Sequence, residues 1–222
     1  MKKILLFLII LIFTSPAFSN SFIFGMGYQF TPILLTEKLQ GTSFFVPLEL
    51  ELTHGFVLSG GTLVNFEYEA EVAERLTFGF GVSYHFKQDI IKSYTKGEFE
   101  DGTEIDGDDS DPDTTIQSFS SFWKGRYYFV QAPDAVSGFI GWLLQYNNAI
   151  RMEGDYEELL DIKGGLGYGL LGGMVINGHT MIEVVLKADS GIINDWSSFL
   201  PKESAPWMGA SVLLNFSHVF EL

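Results

Sequence analysis

The sequence predicts an all-β protein, a transmembrane antiparallel up-and-down β-barrel of eight to ten strands. Large apolar residues alternate with small or polar ones, the alternating runs are long, and the links between them are alternately short and long. The stretch LTFGFGVSYHFK (Leu76–Lys87) alternates throughout, and successive side chains of a strand point to opposite faces. The predicted lipid-facing set there is Phe78, Phe80 and Tyr84, and the predicted inward-facing set is Ser83, His85 and Lys87.

The first 19 residues have the features of a cleavable signal peptide. Lys2 and Lys3 precede an apolar run over residues 4–13, and Ala17-Phe18-Ser19 forms a small-residue cleavage site. The run is too short to cross a bilayer as a helix, which needs about 20 residues. The sequence therefore predicts export, cleavage after Ser19, and a barrel over residues 20–222 in the outer membrane of a diderm bacterium.

The composition limits the possible partners of the exported chain. The chain has 28 acidic residues against 13 Lys or Arg, so electrostatics disfavour binding to nucleic acid. It has no cysteine, so its stability cannot depend on disulfides. Its 21 Phe and 9 Tyr need an apolar environment despite the net charge of −15, and membrane lipid supplies one.

Alternating runs recur along the chain and predict its strands in order. They are Ser21–Thr31, Ser43–Leu58, Thr62–Val72, Leu76–Lys87, Ser118–Phe129, Ile140–Asn147, Leu166–Ile176, Ile182–Lys187 and Met208–Ser217. Bacterial single-chain barrels have an even number of strands, and these runs are nine. A weak strand at Ile33–Gln40 would make ten, whereas treating part of Ser43–Leu58 as an external excursion would leave eight.

The links between the runs indicate which type of all-β fold this is. The short links are Ala73–Arg75, Gln131–Val136 and Asn177–His179, and the last contains an Asn-Gly hairpin signal. The long links are Ile91–Thr115, Arg151–Leu160 and Gly191–Ala205. Tight turns at one end and long loops at the other are typical of outer-membrane barrels. The alternative is a soluble sandwich or lipocalin-like barrel, which would have to bury nearly every aromatic residue in its interior.

The signal peptide, the repeated strands and the closing stretch WMGASVLLNFSHVFEL resemble a small outer-membrane β-barrel protein of the OmpA/OmpX/OmpW-like kind. The resemblance implies two partners, namely outer-membrane lipid and the assembly machinery that reads the last strand, commonly through a terminal Phe. Here Phe216, Phe220 and Leu222 keep the alternation, but His218 interrupts it and the last residue is Leu. The resemblance covers the mature chain in pattern and carries no activity motif.

Charged residues on the inward faces predict a network inside the barrel. Few strands leave a narrow interior that side chains fill, and buried charges need partners of opposite sign. A structural network of ion pairs is therefore expected, with an ion conduit as the alternative. The predicted members are Glu49, Glu51, Glu67, Glu69, Lys87, Lys124, Arg126, Glu183 and Lys187.

The predicted loop over residues 91–115 is strongly acidic and raises the question of cation binding. It holds nine acids between Glu98 and Asp113. Carboxylates attract hard cations, but the spacing does not match an EF-hand loop. A solvated loop without a metal is the expectation, and the weak candidates for a cation site are Asp106, Asp108, Asp109 and Asp111.

Two short patterns could indicate an enzyme, and each lacks an essential part. Residues 167–172 match G-x-G-x-x-G, but no helix fits between them and the turn at Asn177, as a dinucleotide site requires. Ser190 occupies the place where some lipid A deacylases have a nucleophile, but Ala188 stands where their activating His would be. The sequence predicts no catalytic residue and no cofactor.

The main functional hypothesis is a non-enzymatic barrel with a structural or surface-interaction role, which acts through acidic extracellular loops on an unidentified ligand. The alternative is a small transporter or channel for apolar or cationic small molecules. An outer-membrane lipid hydrolase is the third hypothesis. All three use the same barrel, so the distinction depends on what the barrel encloses and what its outer end presents.

Overall fold

The computed structural model describes residues 20–36, 39–43, 46–99, 104–110, 113–129, 135–154, 161–194 and 205–222. The predicted signal peptide, residues 1–19, lies outside the described residues. The regular elements are strands: β1 (Asn20–Thr36), β2 (Leu39–Ser43), β3 (Val46–Leu58), β4 (Gly61–Ala73), β5 (Leu76–Phe99), β6 (Glu104–Ser110), β7 (Thr114–Tyr128), β8 (Val136–Gly154), β9 (Asp161–Lys163), β10 (Leu166–Ile176), β11 (Thr180–Asn194) and β12 (Ala205–Glu221). In the described part of the chain, no helix is long and apolar enough to cross a membrane.

These strands form eight barrel strands, because four pairs of segments are collinear. β3 and β4 run one after the other along β5 and along β1, with only Ser59 and Gly60 between them. In the same way β2 extends β1, β6 extends β7, and β9 extends β10. The barrel therefore has eight strands, which agrees with the predicted even number. The two segments that made the count ambiguous, β2 and β3, are extensions of β1 and β4 and do not count as separate barrel strands.

The sheet closes on itself between its first and last strands. β12 pairs antiparallel with β1 from Ser21 opposite Glu221 to Thr36 opposite Trp207. The amide of Leu222 also donates to the carbonyl oxygen of Asn20, at 3.0 Å. Every barrel strand thus has two antiparallel neighbours, and the predicted fold class, a transmembrane antiparallel up-and-down barrel, is confirmed.

The two ends of the barrel differ in their connections. We call the end that carries Asn20 and Leu222 the terminal end, and the opposite end the distal end. The turns at the terminal end are tight: Arg75 has a φ of 67°, and Asn177 and Gly178 have φ values of 51° and 72°. Positive φ at both central residues is the geometry of a type I′ hairpin, which explains the Asn-Gly pair.

The acidic segment predicted as a loop, residues 91–115, is mostly strand, and this corrects the prediction. β5 continues to Phe99 and pairs there with β3 on one side and β6 on the other. β6 contributes residues 104–110 to the same wall. Acidic residues on the polar face of a hairpin keep their solvation, so their abundance does not prevent strand pairing, although it resembles the composition of a loop.

The outer surface carries a continuous apolar belt. On β5, the large residues at every second position from Leu76 to Phe86 are each between 36% and 44% exposed. At ~3.3 Å per residue this stretch is about 33 Å long. With a strand tilt of about 40°, its height along the barrel axis is about 25 Å, which is the typical height of a lipid-facing band. The predicted lipid-facing set Phe78, Phe80 and Tyr84 lies in this belt.

Candidate functional site

The barrel interior is filled near the terminal end by charged side chains inside an apolar sleeve. Eleven buried apolar residues surround this region: Ile23, Leu63, Phe122, Phe139, Leu143, Leu171, Val175, Met181, Val185, Leu213 and Val219. The sequence prediction expected mainly small and polar residues inside. Adjacent apolar pairs such as Leu170-Leu171 and Leu213-Leu214 could have predicted this apolar lining, because one member of each pair must face inward.

Five charged residues form what we call the ion cluster: Glu67, Glu69, Lys124, Arg126 and Glu183. The Arg126 guanidinium contacts Glu67 at 2.5 Å and 2.9 Å, Glu183 at 2.9 Å, and also the Glu69 carboxylate. The Lys124 ammonium lies 2.6 Å from a Glu183 oxygen and 3.4 Å from a Glu67 oxygen. Three strands, β4, β7 and β11, supply these side chains, and other strands separate them around the barrel, so the cluster crosses the lumen.

The ion cluster is dry and closely packed. Glu67 and Glu183 are each 2% exposed and Arg126 is 1% exposed. Two neutral groups add hydrogen bonds: the Tyr128 hydroxyl lies 3.3 Å from Glu69, and the Asn215 amide lies 3.2 Å from Glu183. Buried charges are tolerated only with such partners, and together these side chains fill the lumen at this height.

The wall of the barrel leaves room for the ion cluster through a glycine. A Cβ atom added at Gly79, which faces the lumen on β5, would overlap the Glu67 carboxylate. Glycine at this inward position therefore allows Glu67 to reach Arg126. Gly79 thus provides the space that the Glu67 side chain occupies in the lumen.

A cavity of about 60 Å³ lies on the distal side of the ion cluster, and we call it the distal cavity. The Lys187 ammonium, which lines it, lies 3.0 Å from Asp189. The Asn147 amide donates to the other Asp189 oxygen at 3.2 Å. His85 and Ser211 also line the cavity and are buried. The result is a small polar chamber in which the opposite charges of Lys187 and Asp189 neutralise each other.

Above the distal cavity the lumen becomes apolar again. Seven buried residues pack together there and define the distal cluster: Phe56, Leu58, Ile90, Ile116, Met152, Ile162 and Trp207. Leu58, Ile116, Ile162 and Trp207 also line the distal cavity. The cluster lies where β3, β5 and β9 extend the barrel beyond the apolar belt of β5, and its apolar side chains fill the inside of the wall there.

A groove on the lipid-facing side, the outer groove, lies across the wall from the distal cavity. Its volume is about 890 Å³, and its lining includes Phe30, Tyr168, Leu170, Leu186, Ala188 and Ala210. Lys187, Ala210 and Ser211 line both the outer groove and the distal cavity. The wall between the two spaces is therefore a single sheet layer formed by β11 and β12.

The structure separates the predicted luminal residues into distinct groups. The five members of the ion cluster lie together, whereas Lys187 pairs with Asp189 in the distal cavity. Glu49 and Glu51 lie in β3, at positions whose side chains are outside the described set.

Lys87 faces outward, contrary to the prediction. In β5, Phe86 and Lys87 oppose the single residue Gln117 of β7, so a bulge reverses the alternation and places Lys87 on the outer surface. There the Lys87 ammonium donates to Glu153, which also contacts Arg151 at 3.2 Å. This hydrogen bond from Lys87 lowers the pKa of the Glu153 carboxyl beyond the apolar belt. A bulge leaves no mark in an alternating pattern, so the sequence could not reveal it.

The remaining candidates do not assemble into a site among the described residues. Asp106 is exposed on β6, Asp108 and Asp109 belong to the same strand, and Asp111 lies outside the described residues. In the described ranges, no group of three His, Asp or Glu side chains could hold a metal ion. The G-x-G-x-x-G match lies within β10 as strand, without the helix of a dinucleotide site.

Comparisons with known proteins give no family assignment. No protein-family model and no curated protein matches the chain. Among solved structures, the chain is similar to the outer membrane protein OprG from Pseudomonas aeruginosa, with 11% identity and a TM-score of 0.49 over 91% of this chain and 96% of that one. It is also similar to the outer membrane protein AlkL, with 12% identity and a TM-score of 0.46 over 90% of each chain. The P. putida toluene transporter TodX matches at 9% identity and a TM-score of 0.21, over 95% of this chain and 92% of that one. These values carry no argument about function, which has to come from the geometry of the lumen.

Proposed function

We propose that this protein is an outer-membrane transporter that takes up small apolar molecules through its distal end. The observation that carries the proposal is the distal cluster, because a water-filled outer-membrane barrel has a polar interior. Here the interior beyond the apolar belt is lined by Phe56, Ile90, Ile116 and Trp207, each at most 5% exposed. Such a lining offers a partly desolvated path to apolar solutes and none to hydrated ions.

The orientation follows from the connections at the two ends. Outer-membrane barrels have short periplasmic turns and longer extracellular loops. The tight turns at Arg75 and at Asn177-Gly178 therefore assign the terminal end to the periplasm. The distal cluster then lies on the extracellular side, where a molecule arriving from outside meets it first.

The surface-interaction hypothesis loses its main support in the architecture. It placed the contacts in acidic extracellular loops, and β5 and β6 make most of the acidic segment, residues 91–115, part of the barrel wall. At ~3.3 Å per residue, β5 extends about 40 Å beyond Phe86. A paired wall of this length encloses a space and leaves little of the segment as an exposed loop. Glu104 and Asp106 of β6 are exposed, and such charged side chains keep the outside of this wall soluble.

In this proposal, the transported molecule leaves the barrel axis and exits through the wall. The ion cluster closes the axis, and opening it would expose five buried charges to a new environment. The outer groove offers an alternative exit, since the distal cavity and the groove share Lys187, Ala210 and Ser211 as lining. An apolar molecule that passes between β11 and β12 would enter lipid rather than periplasmic water, and its passage requires the continuous pairing of these strands to open at Lys187 and Ser211.

The test compares uptake by two variants, each of which carries the same substitution at one of two adjacent isoleucines. Ile90 is fully buried in the distal cluster, whereas Ile91 points outward and is 43% exposed. Cells with the wild-type barrel should take up a radiolabelled linear alkane such as octane faster than cells without it. Ile90→Asp should lower the rate severalfold because a carboxylate disrupts the apolar path, whereas Ile91→Asp should leave it unchanged.

Two controls accompany this test. Heat-modifiable mobility on gels must show that both variants are folded in the membrane. Purified wild-type barrels in a planar bilayer should give no steady ohmic current, because the ion cluster closes the axis. Equal uptake by cells with and without the barrel, or equal loss in both variants, would contradict the proposal.

A further inference from the structure

Two buried polar atoms in the distal cavity have no hydrogen-bond partner among the described residues: His85 Nε2 and Ser211 Oγ. His85 is 3% exposed and Ser211 is 8% exposed. Buried side-chain polar atoms usually have a partner, and leaving one without costs free energy. Two such atoms lining one cavity mark a place that can accept the polar group of a bound molecule.

The charged groups around the cavity are paired with each other, and the remaining polar lining residues, Gln29, Gln88 and Ser118, are neutral. Asp189 accepts hydrogen bonds at both oxygens, from Lys187 at 3.0 Å and from Asn147 at 3.2 Å. The Asn147 oxygen in turn accepts from Ser120 at 2.9 Å and from Gln145 at 2.7 Å. The cavity therefore has no unpaired charge to offer, and its free hydrogen-bonding capacity is limited to neutral groups.

The size and surroundings of the cavity restrict what can enter. Its volume of about 60 Å³ exceeds the minimum of about 10–15 Å³ that one water needs, and it is too small for an aromatic ring. Residues of the distal cluster form its apolar side, among them Ile116, Ile162 and Trp207. A molecule that fills both spaces has a small polar head and a narrow apolar chain.

We infer that the lumen binds amphipathic molecules with one neutral head, of the class of linear alkyl alcohols. The hydroxyl occupies the distal cavity between His85 and Ser211, and the alkyl chain lies among the residues of the distal cluster. A hydroxyl both donates and accepts, so it matches Ser211 and either tautomer of His85. A charged head would add an unpaired buried charge, because Lys187 and Asp189 already neutralise each other. This inference rests on the proposed transport function and adds the substrate class.

The test measures binding of two chains of equal length, 1-hexanol and heptane, to the barrel in lipid nanodiscs. Equilibrium dialysis against empty nanodiscs removes the contribution of partition into lipid. Wild-type protein should bind both molecules, and 1-hexanol should bind about two- to tenfold more tightly, the range that one net hydrogen bond contributes. Ser211→Ala should bring the ratio close to one by removing one partner of the hydroxyl.

Ser83→Ala is the matched control. Ser83 is 6% exposed and precedes His85 by two positions on the inward face of β5, but it does not line the distal cavity. This variant should keep the wild-type preference for the alcohol. Equal binding of the two molecules to wild type, or an equal loss of preference in both variants, would overturn the head-group site while leaving apolar transport intact. If neither 1-hexanol nor heptane binds, the transport proposal is overturned as well.

Discussion

At the scale of single residues, the contrast between Arg126 and Lys87 depends on burial. Both are cations paired with carboxylates, but Arg126 holds three buried glutamates whereas Lys87 meets Glu153 on the outer surface. A buried pair that loses one partner leaves an uncompensated charge, whereas an exposed pair contributes little.

We expect Arg126→Leu to lower the free energy of unfolding by about 3–5 kcal/mol, because three carboxylates would share Lys124 alone. Arg126→Lys should fall between that variant and wild type, since a compact ammonium cannot reach all three carboxylates as the guanidinium does. Lys87→Leu is the control and should leave stability nearly unchanged. Urea unfolding in lipid vesicles measures all three, and similar losses for Arg126→Leu and Lys87→Leu would contradict the burial of the ion cluster.

At the scale of an element, β10 contains two adjacent glycines with different surroundings. A Cβ at Gly172 would come no closer than 3.7 Å to the nearest atom, the Phe139 carbonyl oxygen. A Cβ at Gly173 would overlap the carbonyl oxygen of Ile182 and lie 2.7 Å from the Phe139 ring. The two neighbours thus have opposite tolerance for a side chain within the same strand.

Gly173→Ala should therefore reduce stability by about 1–3 kcal/mol, the usual effect of overpacking, since a backbone atom has to move. Gly172→Ala should be neutral or slightly stabilising, because alanine restricts the unfolded chain without a clash. The comparison can be made from the temperature at which the folded band disappears on gels. A larger loss for Gly172→Ala would mean that the inward and outward faces of β10 are reversed.

At the scale of the whole molecule, the apolar belt determines where lipid contacts the barrel. Phe80 lies near the middle of the belt on β5, whereas Ile91 lies beyond its distal edge, past the exposed Lys87. Phe80→Arg should cost about 2–4 kcal/mol, as a cation does at the bilayer midplane, and Ile91→Arg should cost about 0–1 kcal/mol. Folding yield into lipid vesicles and urea unfolding measure the difference. Equal costs would show that the membrane does not surround the belt at this height.

Alternation in the sequence was sufficient to predict the barrel and the direction of most side chains. Its period of two requires strands, and the lipid-facing aromatics Phe78, Phe80 and Tyr84 follow from it directly. The Asn177-Gly178 turn was also predictable, because the residue types determine the backbone conformation locally. The five members of the ion cluster are among the nine predicted luminal residues, but their contacts were not predictable, since the three strands that supply them are far apart in sequence.

Tertiary structure alone decided the outward position of Lys87 and the conversion of the acidic segment into barrel wall. Each depends on how β5 pairs with its neighbours, and register is set by the apolar patterns and turns of the paired strands together rather than by the residues of one strand. The distal cluster depends on register for the same reason. Ile90 and Ile91 have the same side chain, and only the pairing of β5 with β3 and β7 directs one into the lumen and the other into water.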